Sequence, residues 1–265
     1  ALPISMSRRV AVLAYHGAGF AGFQRQPAGR TVQGAFEEAL GRFYAEPISI
    51  VAAGRTDAGV HALGQVAAWD PPREYPDEVL ERALATLLPD DLRLVSCRVV
   101  PADFHPRYDA LRREYRYLLR EGDALLWRDR ALILDETPDW SLMERAAARF
   151  VGTRDFGSFG GPVGGRGGTV RTVDECGLVH RPPLHWLRIG AEAFLYRMVR
   201  RIVGTLLRLG RRRWDGELLE RLLAGEDPDR APAAPAHGLY LYRVSYPGFA
   251  YRPDPGPLAQ PGPLT

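Results

Sequence analysis

The sequence contains no lysine and no asparagine, so all 35 of its basic residues are arginine. It is also rich in alanine, glycine and proline, and this combination indicates GC-rich codon usage. The arginine guanidinium does suit phosphate through its planar, bidentate geometry. Because codon usage explains the arginine content, and because the net charge is only +3, composition alone predicts no nucleic-acid partner.

Cysteine is also scarce, since the chain has only Cys97 and Cys176, which stand far apart and form no CxxC pattern. We therefore expect neither a disulfide framework nor a zinc site, and the six histidines lack metal-ligand spacing as well. No run approaches the roughly 18–20 apolar residues of a membrane span, and no charged segment followed by an apolar one opens the sequence. These features predict a cytoplasmic protein that binds no metal and no membrane.

The sequence does have the composition of an ordinary globular protein, with 46% hydrophobic and 25% charged residues among 265. A chain of this length fits one or two domains of roughly 100–150 residues, and the pattern of elements predicts two. We expect domains at residues 8–103 and 104–247. A Pro- and Gly-rich tail at residues 248–265 is predicted to be extended or disordered.

The first predicted domain has the order strand, helix, strand, strand, helix, strand. A strand at residues 9–15 leads through a glycine-rich turn to a helix that Thr31 caps, and the apolar positions expected to bury one face are Val32, Phe36, Ala39, Leu40 and Phe43. This order is typical of a ferredoxin-like split β-α-β fold. The second domain has similar elements, including a helix over residues 194–209. The predicted fold is α+β, with two ferredoxin-like (RNP-like) halves. Their antiparallel or mixed sheets join into one platform, with helices on the outer faces and a catalytic cleft between the halves.

The segment GRTDAGVHALGQ, from Gly54 to Gln65, places Arg55 and Asp57 two residues apart in a glycine-bounded loop between strands. Such a loop can present a carboxylate at a cleft. The same residues also allow an ordinary Asp-Ala-Gly turn that the aspartate side chain caps. Spacing alone leaves both interpretations open.

The segment from Gly54 to His61 resembles the GRTDxGVHA signature of the TruA family of tRNA pseudouridine synthases. Further similar segments follow in order between about residue 9 and residue 247: Tyr15-His16-Gly17, Gly22-Phe23-Gln24, Thr31-Val32-Gln33, Phe104 to Tyr108, Arg113 to Tyr117, Asp155-Phe156, Arg171-Thr172, Phe194 to Arg200, Ile202-Val203-Gly204 and Gly238 to Leu241. The chain departs from the family pattern at His16, where aspartate is usual, and at Phe23, where tryptophan is usual. These departures concern local packing or RNA contacts.

The resemblance implies that Asp57 is the catalytic nucleophile and that Arg200 pairs with it. It also implies that Tyr115 packs on the target base. Because an adjacent guanidinium favours an ionised carboxylate, Arg55 is expected to support Asp57 or, alternatively, to hold the backbone of the flipped nucleotide. Pseudouridine formation breaks the C1′–N1 bond and joins C1′ to C5, so it requires no redox step, and we expect no cofactor and no metal. Attack at C1′, attack at C6 and proton removal at C2′ remain open routes.

Other arginines are candidates for RNA contact. On a helical projection of residues 194–209, Arg197, Arg201 and Arg208 lie outside the apolar arc, where they form either a phosphate-binding stripe or a solvated face. Arg200 lies at the edge of that arc and is predicted to reach inward. The glycine-rich loop at residues 157–168 includes Arg166, lacks the GxxxxGK[ST] pattern, and is predicted to face RNA.

The resemblance further implies the substrate, which is uridine at positions 38 to 40 of the tRNA anticodon stem-loop, and a homodimer. The main alternative is a non-catalytic RNA-binding module with paired ferredoxin-like folds. That alternative explains Tyr115 but not Asp57, because a carboxylate that faces RNA repels phosphate. An aspartate-dependent hydrolase or phosphotransferase would need a companion acidic cluster or a metal motif.

Overall fold

The computed structural model describes residues 7–161, 168–226, 231–254 and 256. Within them the chain divides into two compact units. The first unit contains the described residues up to Leu111 and those from Leu241 onward, and the second unit contains Arg112–Tyr240. The second unit is therefore inserted between two segments of the first.

Both units combine strands with helices. The strands are β1 Arg8–Tyr15, β2 Val51–Ala52, β3 His61–Trp69, β4 Leu92–Val100, β5 Arg112–Glu121, β6 Leu132–Leu134, β7 Gly152–Asp155, β8 Val170–Arg181, β9 Leu184–Ala191 and β10 Leu239–Ser245. The helices are α1 Val32–Tyr44, α2 Asp77–Leu87, α3 Trp140–Ala148, α4 Met198–Gly210 and α5 Gly216–Leu223. The chain is thus α+β, as predicted.

In the first unit, β1 lies between β4 and β3 and pairs antiparallel with both. The short strand β2 pairs with one end of β3, and the part of β10 that belongs to this unit lies beside β3. Every residue of β3 is buried. A strand that is buried on both faces is a continuous apolar run rather than an alternating one, so its few polar side chains require partners inside the protein.

Helix α1 forms as the sequence predicts. The Thr31 side chain accepts a hydrogen bond from the amide of Gly34 at 3.2 Å, which satisfies one of the amides that a helix start leaves without an intrahelical acceptor. The predicted face is buried except at Phe43, which is half-buried, while Tyr44 is buried instead. The helix ends at Ala45, which adopts a left-handed conformation with φ of 60°.

In the second unit, β5, β9, β8 and β7 pair in that order, all antiparallel, and β6 runs parallel to β5. Helix α4 begins at Met198 rather than at residue 194, so the predicted start is wrong by one turn. The reason is local, because Arg197 has φ of 60° and a left-handed residue cannot continue an α-helix. In chain order the elements from β5 onward are β5, β6, α3, β7, β8, β9, α4 and α5, and a ferredoxin-like arrangement of this unit stays a prediction.

The domains expected at residues 8–103, 104–247 and 248–265 stay a prediction. In the structure the first segment of the first unit extends to Leu111, and the segment after β10 packs on the same unit. The Tyr251 hydroxyl donates to the Gly64 carbonyl at 2.8 Å and accepts from the Val244 amide at 2.8 Å. Residues 248–254 are therefore docked, because Phe249 and Tyr251 supply buried aromatic surface that a reading based on periodicity overlooks.

No helix that the described residues form is both long enough and apolar enough to cross a bilayer.

Candidate active site

The loop that carries Asp57 connects β2 to β3 in the first unit. At its start the Ala53 amide donates to the Val66 carbonyl at 2.8 Å. The fully buried side chain of Gln65 then donates from Nε2 to the Gly54 carbonyl at 2.9 Å. A buried amide side chain is costly unless it is hydrogen-bonded, so Gln65 favours only the loop conformation that offers this carbonyl.

Thr56, which immediately precedes Asp57, is held at two atoms. Its side-chain oxygen lies 2.8 Å from the Tyr15 hydroxyl, and its carbonyl accepts from the Phe23 amide at 3.0 Å. All three residues are buried. Because Tyr15 belongs to β1, which is paired on both sides, its contact with Thr56 fixes the residue next to Asp57. We call the Tyr15–Thr56 contact the hydroxyl clamp.

Gly22 allows the segment before α1 to approach this loop. Its φ is +105°, and a Cβ there would lie 3.0 Å from the Thr56 carbonyl oxygen and 3.3 Å from the Ala58 amide nitrogen. Its own carbonyl accepts from the Val32 amide at 3.2 Å. A side chain at position 22 is thus disfavoured both by the positive φ and by the short contacts that its Cβ would make. Gly22 therefore contacts both the start of α1 and the Asp57 loop.

Asp57 is half-buried, between buried Thr56 and exposed Ala58. Its carbonyl accepts from the Val60 amide at 3.1 Å, and Gly59 has φ of +78°. A turn is therefore present at Asp57-Ala58-Gly59. The backbone carbonyl of Asp57 accepts the hydrogen bond that closes this turn. Turn and catalytic residue are compatible interpretations of the same segment. Arg55, two residues earlier, is exposed.

His61 follows the loop and is buried. Its Nδ1 accepts from the Gly17 amide at 3.0 Å, and its ring lies 4.8 Å from the ring of His16. These contacts are those of a residue that supports the neighbouring backbone. They also place His16, one of the two departures from the family pattern, beside the end of the Asp57 loop.

Tyr115 lies on β5 in the second unit, opposite Ile189 of β9. Its ring is half-buried and meets Phe194 edge-to-face, with centroids 5.1 Å apart. Tyr117, two residues on, is fully buried and donates from its hydroxyl to the Pro235 carbonyl at 2.9 Å. Burial raises the pKa of Tyr117 well above its usual value, although the charge of Arg200 opposes the shift. Tyr117 is thus a packing residue, and Tyr115 is the more accessible of the two rings.

Arg200 lies in the first turn of α4 and is half-buried. Its Nε donates to the Ala234 carbonyl at 2.8 Å, and the Ala234 amide donates back to the Arg200 carbonyl at 2.9 Å. The close approach requires Gly204, because a Cβ at that position would lie 2.0 Å from the Pro232 carbonyl oxygen. The side chain therefore reaches toward a buried segment of its own unit, as its position on the helix predicts.

The other candidate arginines are distributed differently. Arg197 and Arg208 are exposed and Arg201 is half-buried, and the guanidinium of Arg197 lies 4.9 Å from the centre of the Tyr196 ring. Arg197 precedes α4 rather than lying on it, so Arg201 and Arg208 are the members of the predicted stripe that lie on the helix. Arg166 lies outside the described residues.

Sequence reasoning assigned no role to Tyr15, Thr56 or Gln65. Gln65 offered a signal, because it is the one amide side chain in an apolar run that extends to Trp69, and a buried amide must be satisfied. Tyr15 and Thr56 offered no such signal, since their contact spans 41 positions. As for a metal, the described part of the chain contains no group of three or more His, Cys, Asp or Glu that could hold one.

Comparisons with known proteins agree with this arrangement of fold and loop. The pattern of the tRNA pseudouridine synthase family matches residues 11–109 and 146–247. The proteins named tRNA pseudouridine synthase A in Exiguobacterium sibiricum and Methylacidiphilum infernorum are similar to this chain. The protein of Exiguobacterium sibiricum is 37% identical over 243 residues, which cover 91% of this chain and 98% of its own length. The protein of Methylacidiphilum infernorum is 41% identical over 242 residues, which cover 89% of this chain and 94% of its own length. That of Solidesulfovibrio magneticus is 43% identical over 264 residues, covering 95% of this chain and 96% of its own. The chain therefore belongs to the tRNA pseudouridine synthase family, a class of isomerases.

Proposed function

We propose that this chain converts uridine to pseudouridine at positions 38 to 40 of the tRNA anticodon stem-loop, with Asp57 as the essential nucleophile. The observation that carries the proposal is the Asp57 loop, where a half-buried carboxylate adjoins a threonine held at both its side chain and its carbonyl. Such preorganisation suits a group that must meet one atom of a substrate. A non-catalytic RNA-binding module has no use for a carboxylate held in this way.

In the proposed reaction, the C1′–N1 bond breaks, the uracil turns, and C1′ joins C5. The proton on C5 leaves and N1 gains one, so the reaction is balanced without a cofactor. Asp57 attacks C1′ or C6 or removes a proton from C2′, and its ionised form is required in each route. Arg200 and Arg55 would stabilise that ionised form and the nucleotide backbone. Tyr115 would pack on the base after it leaves its helical stack.

Several further properties belong to the proposal. Each unit would be a ferredoxin-like half. The target uridine would contact Asp57 and Arg55 of the first unit and Tyr115 and Arg200 of the second. The enzyme would act as a cytoplasmic homodimer. Family membership supports the tRNA substrate. Contacts from Arg166, Arg197, Arg201 and Arg208 to phosphate are part of the same proposal.

The experiment follows tritium released to water from tRNA labelled at uracil C5. Wild-type protein is compared with Asp57→Asn, which keeps the size of the side chain and removes its charge, and with Asp103→Asn, an exposed aspartate of the same unit. We expect release from wild type and from the control, and none from Asp57→Asn. Transcripts that retain a single uridine at position 38, 39 or 40 test the site of modification.

The outcomes separate the candidates. A wild-type protein that binds tRNA and releases no tritium would be a binding module. Normal release from Asp57→Asn would leave the activity standing and reject the assigned nucleophile.

A further inference from the structure

Two histidines face each other across the hairpin that joins β8 to β9 in the second unit. His180 and His185 are cross-strand partners, and their Nδ1 atoms lie 3.2 Å apart. His180 is exposed, whereas His185 is only 2% exposed. They are five positions apart in the sequence, a spacing that does not bring side chains together on a helix. The hairpin is what makes the two rings neighbours.

A carboxylate and an indole surround the buried histidine of this pair. Nε2 of His185 lies 3.6 Å from Oε2 of Glu121 and makes no hydrogen bond to any residue that the structure describes. The rings of Trp140 and His185 are stacked, with centroids 4.3 Å apart. Trp140 donates from Nε1 to Oε1 of Glu121 at 3.2 Å, and the Glu121 amide donates to the Pro183 carbonyl at 2.9 Å. Glu121 is therefore held beside the imidazole by its side chain and its backbone.

This arrangement favours one protonation state of His185. A carboxylate favours a proton on the ring nitrogen that faces it, so Nε2 carries the proton and Nδ1 keeps its lone pair. Burial lowers the pKa of His185, although the charge of Glu121 opposes the shift, and the ring is therefore neutral at pH 7. A neutral imidazole with a carboxylate behind one nitrogen and a lone pair on the other is the form in which histidine binds metals.

We propose that Nδ1 of His180 and Nδ1 of His185 together bind one divalent transition-metal cation of the kind that imidazole prefers, such as Zn²⁺, with water as the remaining ligands. Two nitrogens that bind tetrahedral Zn²⁺ at about 2.0–2.1 Å lie about 3.3 Å apart, which is close to the separation of 3.2 Å in the hairpin. The exposed ring of His180 can turn its lone pair toward the ion. The Nδ1 proton that this ring donates without the ion moves to its Nε2 or to solvent.

The proposed site has two protein ligands, so it differs from sites of three or more, of which the described residues contain none. The charge of Glu121 offsets part of the charge of the ion. Because the ion would join β8 to β9 beside their turn, its binding would stabilise the folded hairpin. The inference goes beyond the proposed function and does not depend on it, since pseudouridine formation requires no metal.

The test measures the binding of Zn²⁺ alone to the metal-free full chain, by titration calorimetry and by the midpoint of thermal unfolding. We expect saturable binding of a single ion per chain and a midpoint that rises with Zn²⁺ concentration, because an ion that binds only the folded state stabilises it. Cu²⁺ should bind more tightly than Zn²⁺, as it does at most nitrogen sites. Acid should weaken binding, because protons compete with the ion for both Nδ1 atoms.

Three variants test the assigned residues. His180→Ala removes the exposed ligand and leaves the packing of His185 on Trp140 in place, and saturable binding should be lost. Glu121→Gln keeps the size of the side chain and removes its charge, and the Zn²⁺ affinity should fall between about tenfold and about a hundredfold, as is usual when the group behind a metal-binding histidine is changed. Arg181→Ala, at the exposed neighbour of His180, is the matched control and should bind Zn²⁺ as wild type does.

Two outcomes would overturn the inference. If wild-type protein binds neither Zn²⁺ nor Cu²⁺ saturably, the two histidines share only a proton. If His180→Ala unfolds at the wild-type midpoint without metal and still binds Zn²⁺ with wild-type affinity, the ion lies elsewhere on the chain. Tritium release is followed separately, and a wild type that binds Zn²⁺ in this way but releases no tritium would reject the proposed function and support the metal site.

Discussion

The two units hold their candidate functional side chains by different means. In the first unit, buried side chains donate or share hydrogen bonds with the Asp57 loop, as Tyr15 and Gln65 do. In the second unit, two backbone segments approach closely at Gly204, and Arg200 is fixed by the carbonyl that this approach brings near. The first arrangement is sensitive to losing a polar atom, and the second is sensitive to gaining a methyl group.

The largest expected effect tests the second arrangement. Gly204→Ala places a methyl group against the Pro232 carbonyl, which cannot move without shifting the segment that holds Arg200. We expect a loss of about 3 kcal/mol in the free energy of unfolding, the upper end of the range for overpacking, measured by urea denaturation. Gly216→Ala, at a glycine in α5 with open space around its missing Cβ, is the control and should be neutral or stabilising. Equal stability of the two variants would contradict the comparison.

A smaller effect is expected at the hydroxyl clamp of the first unit. Tyr15→Phe and Thr56→Val each remove one partner of a buried hydrogen bond, which costs about 1–3 kcal/mol. We expect kcat to fall several-fold with KM unchanged, because Asp57 is positioned less well and tRNA is still bound. In the double variant the loss should be less than the sum of the single losses. Additive losses would show that the two hydroxyls act independently.

The smallest effect concerns charge. A side-chain hydrogen bond from Arg30 lowers the pKa of Asp91, and the pair, with shortest distance 2.6 Å, lies just before the N-cap of α1. A lowered folded-state pKa means that this stabilisation is complete above the unfolded pKa of about 3.9 and is lost as pH falls through the folded value. Arg30→Gln should therefore cost at most about 1 kcal/mol at pH 7, because the pair is partly exposed, and less near pH 2 than at pH 7.

Urea titrations of wild type and Arg30→Gln at both pH values measure this difference. The hydroxyl clamp contains no carboxylate, so the cost of Tyr15→Phe should be the same at both pH values. If the loss in the free energy of unfolding for Tyr15→Phe varied with pH as the loss for Arg30→Gln does, the hydroxyl clamp would not be a neutral contact and the distinction from the Arg30–Asp91 ion pair would fail.

Local signals in the sequence predicted the parts of the structure that depend on neighbours in the chain. The N-cap residue Thr31 and the apolar face that follows it predicted α1. The glycines that bound the segment from Gly54 to Gly59 predicted that Asp57 lies in a loop between strands. The predicted start of α4 was wrong because Arg197 has a left-handed conformation. This conformation accompanies a close approach of Gly160 to the Tyr196 carbonyl, and the periodicity of the sequence does not reveal such a contact.

Long-range contacts were beyond the reach of sequence reasoning. The Tyr251 hydroxyl and the Gly64 carbonyl are separated by 187 positions, and the hydroxyl clamp joins positions on two different elements. Such contacts depend on how strands are ordered in a sheet, and a single sequence does not report that order. The family resemblance supplied the residues of the site, but the geometry was needed to show what holds them.

The insertion of the second unit between two segments of the first has a consequence for synthesis. A ribosome releases Arg112–Tyr240 before it releases the strand and tail that complete the first unit, including the tyrosine that bonds to β3. The sheet beside the Asp57 loop therefore stays incomplete until the segment that begins at Leu241 has also been synthesised. On this order of events, β3 gains its last neighbours only after the whole second unit has left the ribosome.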